Sequence, residues 1–161
     1  MIREFALADQ SQIINLQEDF MAEFFPEFAD DKRKYEWNAD VYSIQEHYIK
    51  KGGKVWVVEI EGDIVGFGCL RLVDSNTAEI KRVRINHQHR SKGLGKSIIK
   101  QIECYCSTSN ISKMLVDTDD RFEAAKSLYS GMGYIVYRTE TDVKDGRTYI
   151  DHYYEKLLQH A

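Results

Sequence analysis

The chain has few of the residues that mark extracellular, fibrous or membrane-spanning proteins. It holds three cysteines and one proline in 161 residues. Cysteines that are few, odd in number and without a C-x-x-C spacing indicate reduced thiols in a cytoplasmic protein rather than a disulfide framework. One proline excludes a proline-rich linker, and no apolar run reaches the roughly 18 residues of a membrane span. We therefore expect a single domain over residues 1–161 that contacts no membrane.

An excess of charge of one sign is also missing. The 22 lysines and arginines face 26 aspartates and glutamates, which gives a net charge of −4. Because a nucleic-acid groove needs a basic excess, we expect no nucleic-acid partner. What is present, 43% hydrophobic and 30% charged residues, is typical of a globular protein with an ordinary core.

Hydrophobic periodicity predicts the order β-α-α-β-β-β-α-β-α-β-β. The predicted strands cover residues 2–6, 55–60, 64–73, 78–85, 114–116, 134–137 and 149–155. The predicted helices cover residues 9–25, 41–50, 94–105 and 122–128. This order indicates an α/β fold of the α+β type. We expect a mixed, mostly antiparallel sheet of six to seven strands, with helices on both faces and a central β-α-β crossover.

The strongest chemical feature is a glycine-containing loop between a predicted strand and a predicted helix. It reads Arg90-Ser91-Lys92-Gly93-Leu94-Gly95-Lys96-Ser97. Glycines let the backbone approach a ligand, and the first N–H groups of a helix carry partial positive charge. Arg90, Lys92 and Lys96 place cations at the same helix end, where they are unfavourable unless an anion binds. The loop therefore predicts a phosphate or pyrophosphate site.

Two familiar phosphate motifs fail on this loop, and a third fits. Walker A requires glycine where Arg90 stands, and the dinucleotide motif requires glycine or alanine where Ile98 stands. The pattern Arg/Gln-x-x-Gly-x-Gly/Ala fits fully from Arg90 to Gly95.

This loop and two flanking segments resemble the GNAT family of N-acetyltransferases. The flanking segments are the strand from Ala78 to Ile85, which begins Ala-Glu-Ile, and the helix Ala125-Lys126-Ser127-Leu128-Tyr129, followed by Gly131-Met132-Gly133-Tyr134. The resemblance implies an acyltransferase that uses acetyl-CoA as co-substrate and a primary amine, on a small molecule or a protein, as acceptor. Homodimers are common in the family, although no residue of this chain establishes one.

The resemblance also implies which residues bind the co-substrate. The pyrophosphate would lie on the loop, and the strand end would present its backbone to the pantetheine arm. In the family this strand often carries a bulge that exposes an N–H near the thioester oxygen. The implied binding residues are Val83, Arg84, Ile85, Arg90, Ser91, Lys92, Gly93, Leu94, Gly95, Lys96, Ser97, Phe122 and Tyr129.

Two further residues match the family's catalytic positions. Glu79 matches a glutamate that can take a proton from the acceptor, since an alkylamine is protonated at neutral pH. Tyr129 matches a tyrosine that can protonate the leaving thiolate. Surface and core roles, respectively, remain alternatives for these two residues. Phe122 departs from the family pattern, because many members carry asparagine at that position.

Several alternatives stay open on sequence grounds. His87 and His89 have no third ligand nearby, so no metal is expected. Arg82 and Arg84 share a strand face, where solvation is the simplest reading, although one side could meet the adenosine phosphate of CoA. The function alternatives are an idle acetyl-CoA sensor, an enzyme using another acyl-CoA, and a nucleotide-binding regulator.

The acceptor is the least determined part. The N-terminal region carries acidic residues among phenylalanines, which would suit a cationic amine. They are Glu18, Asp19, Glu23, Glu27, Asp30 and Asp31. A solvated acidic helix face is the alternative.

Overall fold

A computed structural model describes residues 1–159 as seven strands and a set of helices. The strands are β1 Ile2–Glu4, β2 Lys54–Ile60, β3 Asp63–Leu72, β4 Thr77–Ile85, β5 Lys113–Asp119, β6 Ile135–Lys144 and β7 Arg147–Leu157. They are ordered β1-β2-β3-β4-β5-β7-β6. Among the recorded pairings β4 and β5 are parallel and the others are antiparallel. The predicted mixed, mostly antiparallel sheet is confirmed.

The helices comprise two long segments and several short ones. The α-helices are α1 Gln10–Phe24, α2 Arg33–Trp37, α3 Ala39–Tyr42, α4 Ile44–His47, α5 Leu94–Ser107 and α6 Glu123–Gly131. Single 3-10 turns lie at Leu7–Asp9, Pro26–Phe28, Ile49–Lys51 and His87–His89. Within residues 1–159 no helix is long and apolar enough to cross a membrane.

One predicted helix is wrong. Residues 41–50 form the end of α3, the short α4 and a 3-10 turn instead of one continuous helix. Nearby, the Asn38 side chain donates to the carbonyl of Lys34 at 2.7 Å. Such side-chain bonds to the backbone compete with regular helix, and Ser43 interrupts the helix again with non-helical dihedrals, φ −149° and ψ 79°.

The described chain divides into two compact units. The first comprises Met1–Arg71 and Arg82–Ile102, and the second comprises Leu72–Lys81 and the chain from Glu103 onward. The single domain expected over residues 1–161 stays a prediction.

The first unit has its own apolar core between α1, α3, α4 and the strands β2 and β3. Its buried members are Ile13, Leu16, Val41, Ile44, Tyr48, Val55, Val57, Ile64, Phe67 and Cys69. Gly68 lets α5 approach β3 closely, because a Cβ there would lie 2.5 Å from Cγ2 of Ile98. This contact fixes the first half of α5, whose N-terminus carries the glycine loop.

The second unit is built on β5, β6, β7 and α6. The even-numbered β5 side chains Met114 and Val116 are buried, as are three tyrosines, Tyr129, Tyr134 and Tyr154. The predicted turn between the last strands is confirmed, since Asp145 and Gly146 both have left-handed backbones, with φ of 52° and 77°. Two adjacent positive φ angles match the twist of a two-residue hairpin.

The three cysteines form no disulfide with one another. Cys69 and Cys106 are buried and Cys104 is exposed, and all three are free thiols. The different environments of Cys104 and Cys106 follow from their two-residue spacing on α5, which points their side chains in different directions.

Candidate active site

The glycine loop has the backbone of an anion site. Ser91 and Gly93 both adopt left-handed conformations, with φ of 61° and 80°. Alternating left-handed residues of this kind turn successive N–H groups toward one side of a loop. The loop leads into the 14-residue α5, whose first N–H groups lack partners within the helix. The loop and the first turn of α5 can therefore together donate several hydrogen bonds to a phosphate.

The side chain of Arg90 is directed away from that role. Its Nη1 donates to Glu23 Oε1 at 2.8 Å and its Nε donates to the carbonyl of Ile85 at 3.0 Å. The guanidinium also lies 5.1 Å from the centre of the Phe24 ring. Arg90 thus ties the loop to α1 and to the end of β4. The phosphate donors that the loop offers are mainly its backbone N–H groups and its lysines.

The end of β4 is held against α1 as well. The Nε of Arg84 donates to Gln17 Oε1 at 3.1 Å, and its guanidinium lies 3.7 Å from the centre of the Phe20 ring. The predicted solvated position of Arg84 is therefore wrong: the side chain is half-buried because it stacks on an aromatic ring. Val83 and Ile85, also half-buried, flank it.

A cavity of about 320 Å³ lies beside this strand end, within the first unit. Its walls include Asp19, Phe20 and Glu23 from α1, together with Ile85, His87 and Arg90. Two carboxylates and the guanidinium of Arg90 thus line the same space as apolar side chains.

Glu79 lies in the second unit, on the strand portion that pairs with β5. Its side chain is 12% exposed, and the ammonium of Lys81 lies 4.0 Å from its Oε1. The same ammonium lies 3.7 Å from Asp117 Oδ1. A carboxylate held beside a cation can accept a proton, directly or through water, which is the chemistry expected of Glu79.

Tyr129 lies on α6, in an aromatic cluster of the second unit. Its ring centre is 5.9 Å from that of Tyr134 and 5.8 Å from that of Tyr154. The residue is 6% exposed. Burial of this extent also suits a core aromatic, so packing alone does not distinguish the two roles that the sequence left open.

Phe122 immediately precedes α6. Its N–H donates to the carbonyl of Asp119 at 3.1 Å, and its carbonyl accepts from the N–H of Lys126 at 3.0 Å. Phe122 therefore fixes the start of α6 through its backbone. The ring is half-buried.

Sequence reasoning missed the ion pair that Arg82 forms in the first unit. Arg82 was expected to be solvated, but it is 20% exposed and has a left-handed backbone with φ of 59°. It forms a two-pronged ion pair with Asp40, at 2.8 and 3.1 Å. The strand pattern gave no signal for this, because a left-handed residue breaks the alternation on which face assignment depends.

The acidic residues of the N-terminal region are partly neutralised. Glu23 pairs with Arg90 at 2.7 Å, and Asp31 pairs with Arg33. Arg90 lowers the pKa of Glu23 through its hydrogen bonds, which outweigh partial burial. Glu18 accepts a hydrogen bond from Tyr42. An acidic wall for a cationic acceptor is therefore weaker than the sequence alone suggests.

Curated proteins similar in sequence are N-acetyltransferases. N-acetylaspartate synthetase from Danio rerio is 27% identical over 99 residues, covering 60% of this chain and 35% of that protein. N-acetyltransferase family 8 member 3 from Mus musculus is 28% identical over 115 residues, covering 63% of this chain and 51% of that protein. The chain thus spans only a third to a half of the length of these relatives.

Solved structures with the same fold cover nearly the whole chain. A GNAT-family acetyltransferase from Staphylococcus aureus Mu50 superposes with a TM-score of 0.79 at 21% identity, over 99% of both chains. The yncA protein of Salmonella typhimurium, solved with its cofactor acetyl-CoA, gives a TM-score of 0.78 at 19% identity, over 99% of this chain and 94% of that one.

The family's own sequence pattern decides the assignment. The model of the Acetyltransferase (GNAT) family matches residues 13–134, which include the glycine loop, Glu79 and Tyr129. With this match over most of its length, the chain belongs to the GNAT acetyltransferase family.

Proposed function

We propose that the chain is an acetyl-CoA-dependent N-acetyltransferase that acts on a primary amine. The observation that carries the proposal is the loop of Ser91 and Gly93, whose left-handed backbones precede the free N–H groups of α5. This arrangement fits a pyrophosphate, because it supplies several donors and partial positive charge at one point. Acetyl-CoA would supply the acetyl group as an activated thioester.

Different parts of the chain would bind different parts of acetyl-CoA. Backbone N–H groups from Ser91 to Lys96 hold the pyrophosphate, with Lys92 and Lys96 adding charge. The N–H of Ser97 is not among these donors, because it donates to the carbonyl of Gly93 at 3.0 Å. The backbone of Val83–Ile85 binds the pantetheine arm and stabilises negative charge that develops on the carbonyl oxygen. Phe122 packs against the co-substrate, whereas Arg84 contributes through its backbone, because its side chain bonds Gln17 and stacks on Phe20.

Two side chains would move protons. Glu79 accepts the proton of the acceptor ammonium, so that the free amine attacks the carbonyl carbon and the C–S bond breaks. As the tetrahedral intermediate collapses, the nitrogen releases its second proton to solvent and Tyr129 donates its phenolic proton to the departing sulfur. Solvent then returns a proton to Tyr129, and Glu79 releases the proton it accepted. The support for these roles is the position of both residues within the matched family segment.

For the acceptor we infer a primary amine on a small molecule or a protein. The name of one relative specifies N-acetylaspartate, an acidic amino-acid product. The pairing of Glu23 with Arg90 removes one of the acids that would favour a polyamine. The acceptor panel should therefore include aspartate and neutral amino acids as well as polyamines and aminoglycosides.

The loop is tested by Gly93→Asp. Gly93 has positive φ and open space around it, so the substitution adds backbone strain and a negative charge beside the pyrophosphate. We expect no measurable heat with acetyl-CoA or CoA in calorimetric titration. Gly62→Asp is the matched control, since Gly62 also has positive φ and nothing within 4 Å. It should bind like the wild type.

The outcomes of this titration separate the alternatives. Binding of CoA together with amine-dependent thioester turnover supports the enzyme. Binding without turnover of any amine in the panel would favour a sensor, and preference for a longer acyl-CoA would change the donor. Competition by ATP but not by CoA would favour a nucleotide-binding regulator. Unchanged affinity in Gly93→Asp would remove the loop from the site.

The acid is tested by Tyr129→Phe. Removing the hydroxyl should lower kcat by about a hundred-fold if it protonates the sulfur, with the dissociation constant of CoA within a few fold. Tyr134→Phe is the matched control. The Tyr134 hydroxyl is buried without a hydrogen-bond partner in the described chain, so its loss should leave turnover intact. Equal turnover in the two variants would assign Tyr129 to packing.

A further inference from the structure

Arg82 holds an unusual conformation in the middle of a strand. Its φ is 59°, although β4 continues for three more residues to Ile85. The parallel ladder with β5 covers Thr77–Ile80, so Arg82 lies two residues beyond its end. A side chain with a Cβ pays an energy penalty in this conformation, and such residues persist where their surroundings fix them.

The surroundings that fix Arg82 come from one short stretch of chain. Its Nε donates to Asp40 Oδ2 at 3.1 Å and its Nη2 to Asp40 Oδ1 at 2.8 Å. The same Nη2 donates to the carbonyl of Trp37 at 2.7 Å, and Nη1 donates to Asn38 Oδ1 at 3.1 Å. Residues 37–40 therefore accept hydrogen bonds from every nitrogen of the guanidinium.

The side chains that accept hydrogen bonds from Arg82 are themselves fixed by further hydrogen bonds. The hydroxyl of Tyr48, a residue only 2% exposed, donates to Asp40 Oδ2 at 2.5 Å. Asn38 accepts from Nε2 of the buried Gln17 at 2.9 Å, and Gln17 Oε1 accepts from Arg84. Two arginines of β4 are thus connected through one network to α1, to α3 and to Tyr48, which follows α4.

Stability alone is a weak explanation for this network. Buried ion pairs commonly contribute no more than well-packed apolar side chains of the same volume. What an apolar pair could not do is hold Arg82 in a left-handed conformation at a fixed point, because it lacks directional bonds. The directional bonds of the network are therefore suited to holding the left-handed conformation of Arg82 at this point of β4.

We propose that Asp40 is a positioning residue that holds Arg82 in its left-handed conformation and thereby orients the backbone N–H groups of Val83–Ile85. The inference rests on the proposed function, in which these groups stabilise the developing negative charge. Asp40 touches neither substrate in this account. Tyr48 and Asn38 support it by fixing the carboxylate and the neighbouring carbonyl.

The experiment compares Asp40→Asn with the milder Tyr48→Phe, which removes one hydrogen bond and leaves the ion pair. Both are measured for kcat, for the KM of the acetyl donor and the amine, and for CoA affinity by calorimetry. We expect kcat to fall by about ten-fold to a hundred-fold in Asp40→Asn, and less in Tyr48→Phe, with CoA affinity within three-fold or so. Glu46→Gln is the control, because Glu46 forms an exposed pair with Lys50.

A structural readout keeps the inference separable from the proposed function. A crystal structure of Asp40→Ala reports φ at Arg82 directly. If that variant does not fold, the backbone amide NMR signals of Val83–Ile85 are compared between Tyr48→Phe and the wild type. We expect Arg82 to leave the left-handed region in Asp40→Ala, or the amide signals of Val83–Ile85 to shift in Tyr48→Phe. If Arg82 keeps its left-handed conformation in Asp40→Ala, or the amide signals of Val83–Ile85 do not shift in Tyr48→Phe, the inference is overturned. This holds whether or not the wild type acetylates any amine. A wild type without turnover, but with the conformational change, would overturn only the proposed function.

Discussion

Two ion clusters of similar chemistry lie in very different surroundings. In the first unit, Arg82 and Asp40 are 20% and 22% exposed and are enclosed by further hydrogen bonds. In the second unit, Asp120 accepts from Lys126 at 3.0 Å and from His152 at 2.7 Å, but it is 49% exposed. The distances alone would rank the clusters as equals. Burial separates them, because water screens an exposed pair and cannot replace a lost partner in a buried one.

The largest expected effect is the loss of the buried cation. Arg82→Ala leaves the Asp40 carboxylate without its main partner, and we expect the free energy of unfolding to fall by about 3 kcal/mol or more. Relief of the left-handed backbone offsets part of this loss. Urea denaturation followed by circular dichroism measures it. If Arg82→Ala proves as stable as Lys126→Ala, the buried ion pair contributes no more to stability than the exposed cluster.

Acid should reveal the same difference. Burial raises the pKa of Asp40, but the charge and hydrogen bonds of Arg82, with the bond from Tyr48, outweigh it and lower the pKa below its ordinary value. A lowered pKa stabilises the folded state fully above the unfolded pKa of about 3.9, and this contribution disappears as pH falls through the folded value.

We therefore expect the stability advantage of the wild type over Asp40→Asn to be constant near neutral pH and to shrink below about pH 4. Thermal unfolding of both proteins across acidic pH checks this. An advantage that stays constant down to the lowest pH at which both fold would show that Asp40 does not ionise with the expected linkage.

The smallest effect belongs to the exposed cluster. Hydrogen bonds from His152 and Lys126 lower the pKa of Asp120, yet its surroundings are aqueous. Asp120→Asn should leave the melting temperature close to that of the wild type at neutral pH, because solvent replaces the lost charge interactions. Differential scanning calorimetry measures it. A fall in melting temperature as large as that of Asp40→Asn would mean that burial does not determine which ion cluster contributes more to stability.

The parts of the fold that the sequence predicts are those set by local signals. The hairpin turn at Asp145-Gly146 and the helix after the glycine loop both follow from residue type and periodicity. The division of residues 33–51 into short pieces does not, because Asn38 and Ser43 interrupt the helix through contacts and dihedrals that depend on the folded surroundings.

The candidate site divides in the same way. Gly93, Glu79 and Tyr129 are visible in the sequence because each belongs to a motif. Asp40 carries no motif, and its partner Arg82 is 42 residues away along the chain. A pairing over that distance depends on tertiary structure, so the sequence indicates the loop and the two proposed proton carriers but not the network around Arg82 in β4.

The three free thiols have a practical consequence for measuring ligand binding. Burial raises the pKa of the Cys69 thiol, and burial beside Glu103 raises the pKa of Cys106 to about 12. Neither supplies much thiolate at neutral pH, whereas Cys104 is exposed on α5. A maleimide fluorophore should therefore attach to Cys104 in the unmutated protein. The dye then sits on the helix whose first turn carries the glycine loop, and titration with CoA can be followed by fluorescence.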